Sequence, residues 1–335
     1  MDIKYLPNQP LCFAFGGFEL QMLNALEAVQ NQGVNAQKLN YWEEKKDFEL
    51  LHIWGSGDHH FNTIRWAKKA NKKIVATVLL SYFDTLRLKL SYIKNYSFYK
   101  RQQHYFYNQL DAIVVVNEMQ KQILISYYNV DKDKIYIIPN IVNERFFKQP
   151  EMSFSKVYNI EDYILCVGNI CRRKNQINLA KACFKSGNKL VLIGNALVGE
   201  DTYAKDLEQI TNNSKDILWI KELDNRSDEL ISAYYDCKLF ALPSLQETQP
   251  ISALEARVAK KQLVLLNKAY AKQEYYAGSI FAKSHTVNSI SDAITYAIKN
   301  QNFPNCFNND IVIDNCTKKI VGDKYKNLYN SVLNN

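Results

Sequence analysis

The sequence predicts an α/β chain of two parallel-sheet domains facing each other across a cleft. Three observations carry that expectation. Short apolar runs alternate with longer stretches of helical spacing, the pattern of a parallel sheet wrapped by helices. The alternation stops at a polar stretch, 148–160, and then begins again. The chain has 335 residues, more than one ordinary core holds.

In the first half, apolar runs predict strands at 11–15, 36–39, 50–54, 73–78, 112–116 and 135–138. Helical spacing falls at 19–31, 60–70 and 118–128, with a basic, aromatic helical segment at 86–110. The polar stretch reads as a linker, which sets the domains at 1–148 and 149–316. In the second half, strands are expected at 163–167, 189–193, 217–220, 238–242, 262–266 and 279–281. Helices are expected at 176–186, 202–212, 227–235, 252–259 and 289–299, and the tail 317–333 also has helical spacing.

Ligands of open parallel sheets bind outside the carboxyl ends of the strands, so the strand-to-helix turns are where chemistry is sought. The first expected strand ends in Phe15-Gly16-Gly17-Phe18-Glu19. Without side chains, Gly16 and Gly17 let a ligand approach the backbone, and a helix start favours an anion. The same pair also reads as a plain tight turn. It is not a G-x-G-x-x-G fingerprint, and no acidic residue ends the second strand, which speaks against a nicotinamide dinucleotide.

A second turn is basic. Tyr163-Ile-Leu-Cys-Val-Gly168-Asn169-Ile-Cys-Arg172-Arg173-Lys174-Asn175-Gln176 is an apolar strand, a glycine turn and a cationic cluster opening a helix. Lysine as a point charge and arginine as a two-pronged donor suit a diphosphate. A solvent-facing basic turn is the competing reading. A third turn is acidic. Residues 241–261 run from an apolar strand through Pro243-Ser244 into a helix, with Glu247 in the loop and Glu255 eight positions on in the first helical turns. Free amides at that helix start suit a phosphate, and a helix carboxylate can accept hydrogen bonds from vicinal hydroxyls such as a ribose diol. Two glutamates at this spacing also occur as plain solvated surface.

These residues carry a resemblance. Pro243-Ser244-x-x-Glu247-x7-Glu255-Ala256 resembles the E-x7-E signature of retaining GT-B glycosyltransferases of the family 4 type, in particular the bacterial surface-polysaccharide branch. The segment 167–176 resembles the family's Val-Gly-Arg-x-x-x-Arg-Lys-Asn-Gln motif, and Lys174 matches its phosphate-binding lysine. Asn169 stands where the family usually has arginine, so Arg173 or Arg172 would carry that charge. Pro250 stands where the branch commonly has glycine. Ile138-Pro139-Asn140-Ile141-Val142-Asn143, Leu192-Ile193-Gly194-Asn195, Trp219-Ile220-Lys221 and Glu274-Tyr275-Tyr276 match further family segments.

The resemblance implies two Rossmann-like domains in the GT-B arrangement, with helix 317–335 crossing back to the first. It implies transfer of a sugar from a UDP- or GDP-sugar to a glycan acceptor, in this branch lipid-linked, with retained anomeric configuration. Glu247, Lys174 and Arg173 would be catalytic. Gly16, Gly17, Asn169, Arg172, Asn195, Lys221, Thr248, Ile251, Ser252 and Glu255 would hold the donor. No metal or other cofactor is required, because Lys174, Arg173 and backbone amides would stabilise the departing diphosphate. Two alternatives stand beside this: a nucleotide-sugar epimerase of the same architecture, and a non-catalytic basic protein binding membrane or nucleic acid.

Composition bounds the rest. Hydrophobic residues make up 47% and charged residues 23%, as in a well-packed globular chain. No apolar run is long enough to span a membrane, and the N-terminus lacks the layout of a signal peptide. The seven cysteines (12, 166, 171, 183, 237, 306, 316) are scattered without a C-x-x-C pair, which suits a reducing cytoplasm. Five histidines form no zinc pattern. The net charge of +8 concentrates in 86–110, where Arg87, Lys89, Lys94, Lys100 and Arg101 interleave with Tyr92, Tyr96, Phe98, Tyr99, Tyr105, Phe106 and Tyr107. That segment suits the inner face of an anionic membrane, at about 1 kcal/mol per near-surface cation; a core-facing aromatic stripe with a solvated basic face is the alternative. Nucleic acid is not among the expected partners.

Overall fold

The computed structural model describes residues 1–13, 15–80, 101–300 and 310–334. Arg87, Lys89, Lys94, Lys100, the aromatics between 92 and 99, and Cys306 lie outside the described residues. The chain divides into two compact units, Met1–Ile141 with Asn315–Asn335, and Val142–Asp314.

The first unit is built on a six-stranded parallel sheet, in the order β2-β1-β3-β4-β5-β6. The strands are β1 (Asp2–Leu6), β2 (Asn35–Lys38), β3 (Leu50–Trp54), β4 (Lys73–Thr77), β5 (Ala112–Val115) and β6 (Ile135–Ile137). The helices are α1 (Gly17–Asn31), α2 (Phe61–Lys69), α3 (101–108), α4 (Glu118–Tyr128) and, from the chain's end, α12 (Lys318–Asn334). β3 reads Leu-Leu-His-Ile-Trp and is buried along its whole length, as a central parallel strand between two helical layers must be.

One strand differs from the sequence reading. Residues 11–13 form a turn and not the first strand: the Phe13 amide donates to Pro10 O at 3.1 Å, and Phe13 and Phe15 are 75% and 50% exposed. The strand is Asp2–Leu6, in register with Ile3 opposite both Ala36 and Leu50. Only Ile3, Tyr5 and Leu6 of it are buried, so a short strand with Asp and Lys on its outer positions gave little hydropathy signal. Cys12, in the same turn, is exposed.

Two apolar cores cover the sheet's faces. On one, Met22, Ala25, Leu26 and Val29 of α1 meet Val321, Tyr325, Leu328 and Val332 of α12. Gly322 lets these helices touch, since a Cβ there would lie 2.6 Å from Ala28 O. On the other, Ile64 of α2, Phe106 and Tyr107 of α3 and Leu124 of α4 pack together. Phe106 and Tyr107 are thus core residues rather than a membrane-facing stripe. A buried polar chain joins the sheet to α12: Tyr5 OH lies 2.5 Å from Tyr329 OH, which lies 2.7 Å from His52 Nδ1, and His52 Nε2 lies 2.8 Å from Thr77 Oγ1.

The second unit repeats the architecture with the order β12-β11-β10-β7-β8-β9. Its strands are β7 (Tyr163–Val167), β8 (Lys189–Ile193), β9 (Ile217–Ile220), β10 (Leu239–Leu242), β11 (Leu263–Leu266) and β12 (Ile280–Ala282). Its helices are α5 (Phe154–Tyr158), α6 (Gln176–Lys185), α7 (Asp201–Asn212), α8 (Asp228–Asp236), α9 (Ile251–Val258) and α10 (Val287–Lys299), followed by α11 (Asp310–Cys316). The polar stretch 148–160 is no linker. Its α5 is capped by Ser153, buries Phe154, and is tied to α8 because Asp236 Oδ2 accepts from Ser153 Oγ and the Ser155 amide at 2.8 and 2.9 Å.

The chain runs from β7 outward to β9, then returns to β10 and runs the other way. β7 and β10 are therefore hydrogen-bonded neighbours, with Leu239 opposite Ile164. That reversal is the switch point at which open parallel sheets leave a crevice, and it sets the loops after β7 and β10 side by side.

Candidate active site

The loop after β7 is shaped by its glycine and by two side chains of α6. Gly168 has φ +139°, a region L side chains rarely adopt, and a Cβ there would lie 2.9 Å from Lys174 Nζ. Lysine 174 thus lies across the bare backbone of the turn that precedes it. Gly194, at the end of β8, has φ +145°, and its missing Cβ would strike Gly168 O at 2.4 Å. Asn175 takes the left-handed conformation, φ 62°, that asparagine tolerates, and its Nδ2 donates to His285 O at 3.0 Å. Buried Gln176 clamps the loop: its Nε2 donates to Asn169 O at 2.9 Å and its Oε1 accepts from the Cys171 amide at 3.3 Å.

The loop after β10 is tied to the same turn. The Leu245 amide donates to Arg173 O at 2.8 Å, and Arg173 Nη1 donates to Gln246 O at 2.6 Å. Glu247 then sits between two cations, its Oε1 at 2.8 Å from Arg173 Nη1 and 3.1 Å from Lys174 Nζ. Lys174 and Glu247 are nearly buried, each side chain at 11% exposure. Burial pushes the Glu247 carboxyl up, but Lys174, Arg173 and the Ser244 hydroxyl outweigh it and hold the group below its ordinary range. Burial likewise opposes the charge on Arg173, and the facing Glu247 carboxylate more than offsets it, so the guanidinium is held above its ordinary value. The result is a fixed −1/+2 cluster with a surplus positive charge.

Helix α9 begins beside this cluster. Pro250 is its N-cap, with φ −65°, and its carbonyl accepts from the Ala253 and Leu254 amides and from Tyr276 OH, all at 3.2 Å. Proline's missing amide therefore belongs to the cap and not to the helix, whose first amides, at Ile251 and Ser252, lie in the turn that lacks intrahelical acceptors. Glu255 follows on the first turns, its Oε2 accepting from Tyr234 OH of α8 at 2.8 Å. Burial raises the Glu255 carboxyl to about 7, against the opposing pull of that hydroxyl.

Other expected residues lie in different settings. Arg172 turns away from Glu247, with its Nε 3.7 Å from Glu200 and its guanidinium 5.6 Å above the Tyr203 ring. Lys221 is exposed and paired with Glu208 on α7 at 2.8 Å. Asn195 is exposed, and its carbonyl accepts from the Ile170 amide at 2.8 Å. The Thr248 carbonyl accepts from Gln273 Nε2 at 2.7 Å. Gly16 and Gly17 belong to the first unit. Gly17 opens α1, and the Gly16 amide donates to Glu19 Oε2 at 3.0 Å. Among the described residues, no cluster of His, Cys, Asp and Glu could hold a metal ion.

Residues 148–311 match the family model "Glycosyl transferases group 1", and residues 24–146 match "Glycosyltransferase Family 4". The chain belongs to the GT-B glycosyltransferases of the family 4 type. Solved structures share the fold. A glycosyltransferase from Rickettsia africae aligns at a TM-score of 0.70 and 14% identity over 99% of this chain and 98% of that one. HepE of Anabaena, solved with UDP, gives 0.76 and 13% over 99% and 100%. WaaG, involved in lipopolysaccharide biosynthesis, gives 0.67 and 12% over 97% and 99%. At such identities the likeness is one of fold. No curated protein matches the chain in sequence.

In this glycosyltransferase, sequence reasoning missed the supports. Tyr234 carried no motif, and Tyr270, whose hydroxyl donates to Leu242 O and Ser244 O at 3.2 Å each, holds the β10 loop from a turn far along the chain. His60 is buried, and burial together with the neighbouring His59 lowers its pKa to about 4.

Proposed function

We propose that the enzyme transfers a sugar from a nucleotide diphosphate sugar to a glycan acceptor with retention of configuration, and that the second unit holds the donor. The observation that carries this reading is the Arg173–Lys174–Glu247 cluster beside the start of α9. A diphosphate brings the negative charge that the surplus cation and the free α9 amides lack. As the sugar–oxygen bond breaks, charge builds on the leaving diphosphate, and Lys174 and Arg173 meet it with groups already in place. Those two cations leave the step without need of a divalent metal. Arg173, rather than Arg172, takes the place left by Asn169, because it is the arginine that points at Glu247. Glu247 orients the transferred sugar, and Glu255 accepts the ribose hydroxyls.

The first unit takes the acceptor in this reading, and a lipid-linked glycan suits its surface. On α2, Arg65 and Lys69 lie 5.2 and 4.8 Å over the ring of Trp66, which is 58% exposed. Cations flanking an exposed tryptophan suit the headgroup layer of an anionic bilayer. That supports a place on the inner membrane face, together with the basic residues of 86–101.

A thermal-shift panel of UDP- and GDP-sugars tests the donor reading, since a ligand of the folded state raises apparent stability by mass action. One nucleotide sugar should raise Tm and release its nucleoside diphosphate when a glycan acceptor is added, and a product anomer opposite to the donor's would remove retention. No shift with any nucleotide sugar would favour a non-catalytic basic binder. Isomerisation of the donor without an acceptor would favour an epimerase.

A further inference from the structure

Tyr234 is a large polar side chain with 0% exposure, enclosed between the Phe146 ring, at 5.2 Å edge-on, and the Phe240 ring, stacked at 5.7 Å. Phenylalanine would fill that space without a hydroxyl to desolvate. A buried hydroxyl needs a partner, and this one has Glu255 Oε2 at 2.8 Å. Burial, followed by the Glu255 charge, holds the Tyr234 hydroxyl far above its ordinary pKa, so it stays a donor.

We propose that Tyr234 is a positioning residue of the donor site: its hydroxyl holds the Glu255 carboxyl in one orientation and favours its ionised form, which accepts the hydroxyls of a ribose. This rests on the donor-site reading given above. One carboxylate oxygen is fixed by Tyr234, and a ribose diol requires an ionised acceptor that is not free to rotate. The elements packed on α9 leave Tyr234 as the group that does this. β10 and β11 carry no ionisable side chain. The turn Glu144–Phe147 brings Glu144 and Arg145, and Arg145 is bound to Asp228 at 2.6 Å. The turn Glu274–Tyr276 brings Glu274, Tyr275 and Tyr276, whose hydroxyl donates to Pro250 O. On α9 itself, Arg257 donates to Ala277 O at 2.6 Å. Burial and Tyr234 are the influences acting on the Glu255 carboxyl.

The test is calorimetric titration of UDP-glucose, with GDP-glucose as the second base, from pH 6 to 8.5. The diphosphate of a nucleotide sugar is a diester with no ionisation near neutrality, so the pH dependence reports the protein. With the wild-type protein, affinity should rise with pH around a midpoint near 7, and binding at pH 7 should release about half a proton. In Tyr234→Phe the midpoint should move up by about one unit, so affinity at pH 7 falls about fivefold while the two proteins converge by about pH 8.5. In transfer assays the pH-dependent loss should appear in the KM for the donor. In a Glu255→Gln background, adding Tyr234→Phe should leave no pH-dependent difference. A midpoint unmoved in Tyr234→Phe, or a loss of affinity equal at every pH, overturns the proposal. So does wild-type binding without proton release, a measurement that stands even if Tyr234→Phe fails to fold. Failure of both nucleotide sugars to bind wild-type protein at any pH takes down the donor-site reading itself, and this inference with it.

Discussion

Gly168 has no side chain where Lys174 lies: a Cβ at position 168 would sit 2.9 Å from the lysine's Nζ. The glycine thus sets both the turn after β7 and the path of the cation in the proposed donor site. Gly168→Ala should be felt twice, through strain at φ +139° and through displacement of Lys174. The expected loss is about 1–3 kcal/mol of stability, read from urea unfolding, with a larger proportional fall in kcat/KM for transfer. A variant as stable and as active as the parent would show that the lysine needs no such path.

Glu247 is the counterion of two cations, and removing it leaves Lys174 and Arg173 facing each other. Glu247→Gln should lower the Tm of the free protein, because a buried charge left without its partner is costly, about 3–5 kcal/mol in enclosed pairs. Millimolar inorganic pyrophosphate should then raise the variant's Tm more than the parent's, since the anion supplies the missing charge. Equal shifts in the two proteins would separate the cluster from anion binding.

His52 is fully buried, and burial lowers its pKa to about 3. A histidine depressed below its unfolded value of about 6.5 contributes stability that is complete above that pH and is lost as the pH falls toward the folded value. Acidification from pH 7 to 5 should therefore cost the first unit about 2 kcal/mol through this residue. In His52→Gln, urea unfolding at the two pH values should show that much less acid sensitivity. The same sensitivity in both proteins would place the protonation elsewhere.

Most of the fold was legible because parallel strands buried on both faces read as unbroken apolar runs. Leu50–Trp54, Tyr163–Val167 and Lys189–Ile193 stand where their hydropathy puts them. Asp2–Leu6 escaped because its outward positions are charged, whereas 11–15 looked apolar but has a turn at 11–13 and exposes Phe13 and Phe15. The clustering of the candidate residues was legible where a residue type is required by backbone geometry or charge, as at Gly168, Asn175, Lys174 and Glu247. It was not legible where a side chain acts from a distant element: Tyr234, Tyr270 and the His52–Tyr329 contact are long-range pairings with no local pattern. Arg172 and Arg173 were equivalent as neighbours in sequence, and only the three-residue helical turn Arg172–Lys174 decides that Arg173 faces Glu247 while Arg172 turns to Glu200.

The most direct measurement is a crystal structure of the enzyme with UDP-glucose or the nucleotide sugar that stabilises it most. The donor's diphosphate should lie within about 3 Å of Lys174 Nζ, Arg173 and the first amides of α9, with the ribose diol on Glu255. A nucleotide sugar bound to this protein with its diphosphate away from Lys174 and Arg173 would contradict the account.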